Sequence, residues 1–275
     1  MKNRAAFLGI AILAFVLASC SGGKQGKINT LADLKGKSIG GISSGGEDKS
    51  RFELVKILIG AEPKDIINFI NRSDALAAVL SGKVDAVFAP RVVSEYYAKR
   101  NDKLRIIEPG DHYKIEIVMA VRSEDQTLKS DLDSAITILQ GNGTLKNLED
   151  KWIINLPVIN EPASEAIPKI EGAKTIYTGV SGDFAPLDYI AADGRPAGFN
   201  VALLAEIGKI LKINFEVVSI ESQAKFIALN SKKIDAIFFQ IYGKPLDYLY
   251  TDVKSTFLAT IPYYKDQQGY FLVKK

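Results

Sequence analysis

The chain is 275 residues long and close to charge balance, with 35 Lys and Arg against 32 Asp and Glu. That length suits one large domain or two small ones, enough to bury a real core. One Cys and one His leave no intrachain disulfide, no redox pair and no His/Cys metal cluster, and no basic stripe with interleaved aromatics marks a nucleic-acid partner.

The first twenty residues carry the firmest signal. Lys2 and Arg4 form a positive opening, and Ala5 to Leu17, AAFLGIAILAFVL, is an apolar run too short for a comfortable membrane span. Leu17-Ala18-Ser19-Cys20 follows, small residues and then the chain's lone Cys. This resembles the bacterial lipobox, so residues 1–20 read as a lipoprotein signal peptide with Cys20 as the lipidated residue. The stretch 21–28 reads as a flexible tether. Acyl chains on Cys20 would hold a folded, aqueous protein on a membrane surface.

Next, KSIGGI (37–42) reads as a strand and SRFELVKILIG (50–60) as a helix, with the small, polar loop ISSGGEDKS (42–50) bridging them. AVLSGKVDAVF (78–88) reads as a helix end, a tight turn and a nearly continuous apolar strand, the pattern of a buried parallel strand. His112 sits at a turn, and IEIVMAVR (115–122) reads as a strand. LKSDLDSAITILQGNGTLKNLEDKWI (128–153) reads as helix, Gly-Asn-Gly turn, helix, with Trp152 as a packing residue. NLPVINEPASEAIPKIEG (155–172), with its three prolines and no period, reads as a linker. After it come a strand, KTIYTGV (174–180), and a helix, NVALLAEIGKIL (200–211). ALNSKKIDAIF (228–238) then repeats the earlier phrase: Ser81, Lys83, Asp85, Ala86 and Phe88 return in register as Ser231, Lys233, Asp235, Ala236 and Phe238. Both halves therefore read as βαβ-rich α/β lobes.

Six pieces together resemble the extracytoplasmic solute-binding proteins of the amino-acid-binding family, which serve ABC importers. They are GVSGDFAPLDYIAADGRPAGFNVALL, KKIDAIF, IPYYKDQQGYFLVKK, LADLKGKSIGGISSGG, LSGKVDAVFA and LQGNGTLKNLEDKW. The resemblance covers nearly the whole chain beyond the leader. It implies an α/β, two-lobe periplasmic-binding-protein-like fold of type II. The pieces stand in rotated order, so the chain looks circularly permuted. The expected divisions are 29–120 for the family's second lobe with a hinge strand and 121–154 for helices packing on the first lobe. The linker then spans 155–172, and 173–275 forms the first lobe, ending in a hinge strand. IEIVMAVR would be the one continuous crossing, and the ends near GYFLVKK and LADLKGK would still pair in space.

The resemblance also implies where a ligand would sit. Phe184, with Asp183 beside it, matches the position of an aromatic ring that packs on the ligand. Ser43, Ser44, Gly45 and Gly46 would offer backbone N–H groups at a helix start. Phe239, Gln240 and Tyr242 would line a third loop. The family's Thr-Pro-x-Arg clamp is here Lys244-Pro245-Leu246-Asp247, so a cation has become Asp247. Pro90, followed by Arg91, stands where an acid often receives the ligand's ammonium, and Ser181 replaces the usual acid before the ring. The ordinary zwitterion clamp is therefore altered. Either Arg91 or Lys244 takes a ligand carboxylate, or the ligand is more apolar, aromatic or cationic.

The resulting expectation is a monomeric, lipid-anchored binding protein on the periplasmic or extracellular face of the cell envelope. It needs no cofactor. It would capture an amino acid or a related amine or aromatic compound and dock on the membrane permease of an ABC importer. The alternatives are a cleft enzyme such as a dehydratase, using Glu47 or Asp247 as general acid, and a sensory or partner-binding lobe pair without transport.

Overall fold

The computed structural model describes residues 27–42, 48–109, 113–242 and 257–275. Residues 1–26 with Cys20, Ser43 to Glu47, His112, Lys244 and Asp247 lie outside them. In chain order the first half contains β1 (Ser38–Ile42), α1 (Asp48–Ile59), β2 (Asp65–Phe69), α2 (Arg72–Ser81), β3 (Ala86–Ala89), α3 (Arg91–Arg100), β4 (Leu104–Ile107) and β5 (Tyr113–Arg122). Two helices follow, α4 (Gln126–Gly141) and α5 (Thr144–Glu149), the latter continuing into a wider turn through Ile154. The second half contains β6 (Thr175–Val180), β7 (Asp183–Phe184), β8 (Asp188–Ile190), β9 (Pro196–Ala197), α6 (Phe199–Leu211), β10 (Asn214–Ser219), α7 (Lys225–Asn230), β11 (Ala236–Tyr242), β12 (Phe257–Ala259), β13 (Tyr264–Gln268) and β14 (Tyr270–Lys274). Among the described residues no helix is long and apolar enough to cross a membrane.

These strands build two principal sheets with one shared plan. The first runs β2-β1-β3-β14-β4 and the second β10-β6-β11-β5-β12, with β13 also paired to β5. In each, the first three strands are parallel and the fourth is antiparallel to both neighbours. The antiparallel strand comes from the other half of the chain: β14 completes the first sheet and β5 the second. Among the described residues the chain passes from one sheet to the other between β4 and β5 and again at Gly269, and β5 and β13 pair antiparallel from Tyr113↔Gln268 to Ile117↔Tyr264. Gly269 has φ +104°, and a Cβ there would stand 3.0 Å from Leu58 Cδ1, so the reversal between β13 and β14 calls for glycine.

This topology corrects the expected divisions. β5 lies wholly in the second sheet, so the continuous part of the lobe expected over 29–120 ends near Ile107. The stretch near 270–275, expected to close the 173–275 lobe as a hinge strand, is β14 inside the other lobe's sheet. The physical reason is reciprocal: each sheet gains a buried antiparallel strand that its own half does not supply. Beside β14, Arg105 Nη2 donates to Asn29 Oδ1 at 3.1 Å, and Arg105 is itself the ladder partner of Val273. Ile28 and Leu34 share a core cluster with Phe271 and Val273.

Both sheets are covered on both faces, and strand alternation sorts the side chains. Phe271, Val273 and Phe88 face a cluster with Leu54, Val55 and Ile59 of α1, whereas Leu272 and Val87 face Ala75, Ala78 and Val79 of α2. In the second sheet Met119, Val121, Ala236 and Phe238 face α4 and α6, whereas Ala120 and Ile237 face α7. Trp152 is fully buried in the larger of these cores.

The repeated phrase has one structural job in both lobes. Lys83 and Lys233 donate back to the carbonyls of Ala78 and Ala228, closing each helix end. The turn residue is left-handed in both copies, Gly82 at φ +80° and Lys232 at φ +61°. Asp85 accepts from the backbone N–H of Ser38 at 2.8 Å, and Asp235 from that of Tyr177 at 3.0 Å, so each aspartate staples its strand to the neighbour. Gly179 makes room for Ile234, since a Cβ there would lie 2.7 Å from Ile234 Cδ1, whereas a Cβ at Gly40 would first meet the Phe69 ring, at 3.1 Å.

Candidate functional site

The lobes meet where α2 and α3 of the first face β7, β8 and the 155–172 segment of the second. The loop before β7 is held from beneath by Asp188, which is fully buried. Its Oδ1 accepts from the Ser181 hydroxyl at 3.0 Å and the Gly182 N–H at 2.9 Å, and its Oδ2 from Asn200 Nδ2 at 3.0 Å. Asn200 is placed by Gly198, the residue before α6. Gly198 has φ +108°, and a Cβ there would stand 2.6 Å from the Leu187 carbonyl oxygen.

Asp183 and Phe184 project from this braced loop against the first lobe. The Asp183 carboxylate accepts from the Arg72 backbone N–H at 2.8 Å and from Arg72 Nη1 at 3.0 Å. An anion from one lobe therefore sits at the N-terminus of α2 from the other, where free N–H groups and the helix dipole favour it. The Arg72 guanidinium lies 3.5 Å from the centre of the Phe184 ring, a cation–π stack. Phe184 is 1% exposed and covered by this contact. The Tyr97 hydroxyl stands 3.5 Å from the Asp183 carbonyl, and burial pushes its ionisation upward.

A second cluster ties α3 to the linker. Glu161 Oε1 accepts from the Tyr96 hydroxyl at 2.8 Å and from Arg100 Nε at 2.9 Å, and Arg100 stacks on the Tyr96 ring at 3.8 Å. Arg100 Nη2 also donates to the Pro157 carbonyl. Burial first, then Glu161, raises the ionisation of both Tyr96 and Tyr189. The 155–172 stretch thus has no regular structure yet is fastened along its course, by Glu161 and again where Asn214 Oδ1 accepts from the Ile170 N–H at 2.7 Å.

The third cluster is at the lobe crossing. Arg91 Nη1 reaches Glu95 at 3.0 Å and Nη2 reaches Asp266 Oδ1 at 3.1 Å. Asp266 has no exposed side-chain surface, and burial raises its carboxyl to about 6 against the pull of Arg91.

The structure therefore brings Asp183 and Phe184 together at the lobe boundary and places Arg91 elsewhere. Arg91, expected to offer its charge to a ligand carboxylate, is here paired with two carboxylates of the chain, Glu95 and Asp266. Phe239, Gln240 and Tyr242 lie on β11, but their side chains, with Ser43, Ser44, Gly45, Gly46 and Asp247, fall outside what is described. Sequence reasoning missed Arg72, Tyr97, Asp188, Glu161 and Asp266. Arg72 had a local signal, since Asn71 caps the helix by accepting from the Asp74 N–H at 2.9 Å and so puts Arg72 in its first turn. Among the described residues no group of three or more His, Cys, Asp and Glu could hold a metal ion.

Two α/β lobes, each completed by an antiparallel strand from the other half and meeting over a braced aromatic loop, define a type II periplasmic-binding-protein fold. Residues 176–275 match the family model of bacterial extracellular solute-binding proteins, family 3, and residues 14–132 match the model described as NMT1/THI5 like. ABC transporter arginine-binding protein 1 of Escherichia coli K12 is 24% identical over 134 residues, covering 47% of this chain and 52% of that protein. The arginine-binding extracellular protein ArtP of Bacillus subtilis 168 is 29% identical over 132 residues, covering 47% of this chain and 49% of its own. The chain thus spans about half the length of the curated relatives it matches. Among solved structures, the GluR0 ligand-binding core in complex with L-glutamate aligns at TM-score 0.43 and 11% identity, covering 87% of this chain and 84% of that one.

Proposed function

We propose that the chain is an extracytoplasmic solute-binding protein, anchored through a lipidated Cys20, that captures a small ligand between its lobes for an ABC importer. The ligand class is an amino acid or a related amine or aromatic compound. The observation that carries this reading is the Asp183–Phe184 loop. It is braced by Asp188 inside one lobe and faces the other lobe, and among the described residues the two sheets are linked between β4 and β5 and at Gly269. Two lobes joined by adjacent strands can part and close, and a ligand that binds the closed form better shifts the population toward it. Similarity to family 3 binding proteins and to arginine-binding relatives supports the same class.

The test is thermal unfolding of the soluble form, starting after Cys20, against amino acids, dicarboxylates, polyamines, quaternary amines and aromatic acids. A true ligand at 100 times its dissociation constant adds about 2.7 kcal/mol and raises the midpoint. No shift with any compound would remove the capture reading. Anchoring is checked separately: Cys20→Ser should leave the protein in the aqueous phase of a detergent partition, and unchanged partition would refute the anchor.

The rotated order of the family pieces belongs to the same proposal. Asn29 lies against Arg105 beside β14, which supports it. A rearranged chain carrying 174–275 followed by 27–154 should then still fold, with stability lowered only by the lost contacts of Pro157, Glu161 and Ile170. Failure to fold would count against the rotation.

A further inference from the structure

We propose that Arg72 is a tethered stand-in for a cationic solute. Its guanidinium fills the seat formed by the Phe184 ring and the Asp183 carboxylate, and it latches the lobes together until a solute cation displaces it. This rests on the capture reading above and adds the device that competes with the ligand.

Seat and occupant belong to different lobes. Arg72 opens α2 in the first, whereas Asp183 and Phe184 form β7 in the second. The arrangement matches what a planar cation needs: a carboxylate at 3.0 Å on its edge and an aromatic face at 3.5 Å beneath it. The seat does not depend on its occupant for shape, because Asp188 holds Ser181 and Gly182 from below. The contact is also reachable, since the Arg72 and Asp183 side chains keep 12% and 23% of their surface exposed. A tethered group acts at a high effective concentration, so an incoming cation binds only to the fraction of molecules in which Arg72 has left. Latch and ligand therefore oppose each other, and removing the latch should both loosen the lobes and open the seat.

The experiment is chemical rescue. Arg72→Ala is compared with wild type by small-angle scattering and by a fluorescence distance between labels on the two lobes, with methylguanidinium as probe. In the expected result, R72A is more open, methylguanidinium closes it saturably, and the variant binds the probe about tenfold or more tighter than wild type. Methylammonium, which lacks the planar fork, rescues less. Adding Asp183→Asn abolishes the rescue. If R72A does not fold, Arg72→Gln carries the same test. An unchanged lobe distance in the variant, or no saturable response to methylguanidinium, overturns the latch. A panel ligand that closes wild type and binds R72A with equal affinity also overturns it, while leaving the capture reading standing. Rescue of R72A with no panel ligand for wild type keeps the latch and removes the capture reading.

Discussion

Replacing Asp266 with Asn tests how the lobe crossing is balanced electrostatically. The carboxyl is shielded from solvent on β13, with Arg91 Nη2 at 3.1 Å from Oδ1 and the Val92 N–H donating to Oδ2 at 3.1 Å. Glu95 and Tyr264 also face this corner. Burial outweighs the attraction of Arg91 and the backbone donors, lifting the group from its ordinary 3.8 to about 6. Through the interval between those values the folded protein keeps a proton that the unfolded chain has released. Stability therefore falls as pH rises through that window, and the full cost is present at neutral pH. A shift of about two units corresponds to about 3 kcal/mol. Asp266→Asn keeps the shape without the charge. In urea unfolding at neutral pH the variant should be more stable by about 1–3 kcal/mol, with the gain shrinking as pH falls toward 4. A variant less stable at neutral pH, with a deficit that shrinks in acid, would show that the Arg91 pair outweighs desolvation and would refute this account.

Three further substitutions probe the frame of the two lobes. Gly198→Ala should destabilise by about 3 kcal/mol, since it adds a left-handed strain to a 2.6 Å approach to the Leu187 carbonyl, and thermal unfolding should show a lowered midpoint. Lys232→Gly should stabilise by about 0.5–1 kcal/mol, because the residue sits at φ +61° where the first copy of the phrase has glycine; chemical denaturation reads the gain. Asp235→Ala should cost about 3 kcal/mol in the same assay, because it strips the Tyr177 N–H and leaves the buried Arg122, now 2.9 Å from Asp235, short of a partner.

Much of the architecture was legible in the linear chain. The strands near 38–42 and 175–180, the helices near 199–211 and 126–141, and the doubled LSGKVDAVF/LNSKKIDAIF phrase follow from local periodicity and turn chemistry, which nearby residues settle among themselves. The phrase even revealed its function indirectly, since two aspartates in the same register make the same strand-to-strand staple. The candidate site was legible only in part. Asp183 and Phe184 stood out beside a Pro-containing turn, but their neighbour Arg72 lies more than a hundred residues away in sequence and on the other lobe.

By itself, then, the sequence determined an α/β chain of two similar halves with a prolyl linker, because helix and strand periods and turn residues are local properties. Only the tertiary structure decided that β5 and β14 cross to complete the opposite sheets, since strand exchange depends on which buried edges find each other. It also decided that Arg91 belongs to Asp266 and Glu95 while Arg72 covers Phe184. A charge at long sequence separation chooses its partner by the geometry of packed lobes, and that geometry is not written in any local pattern.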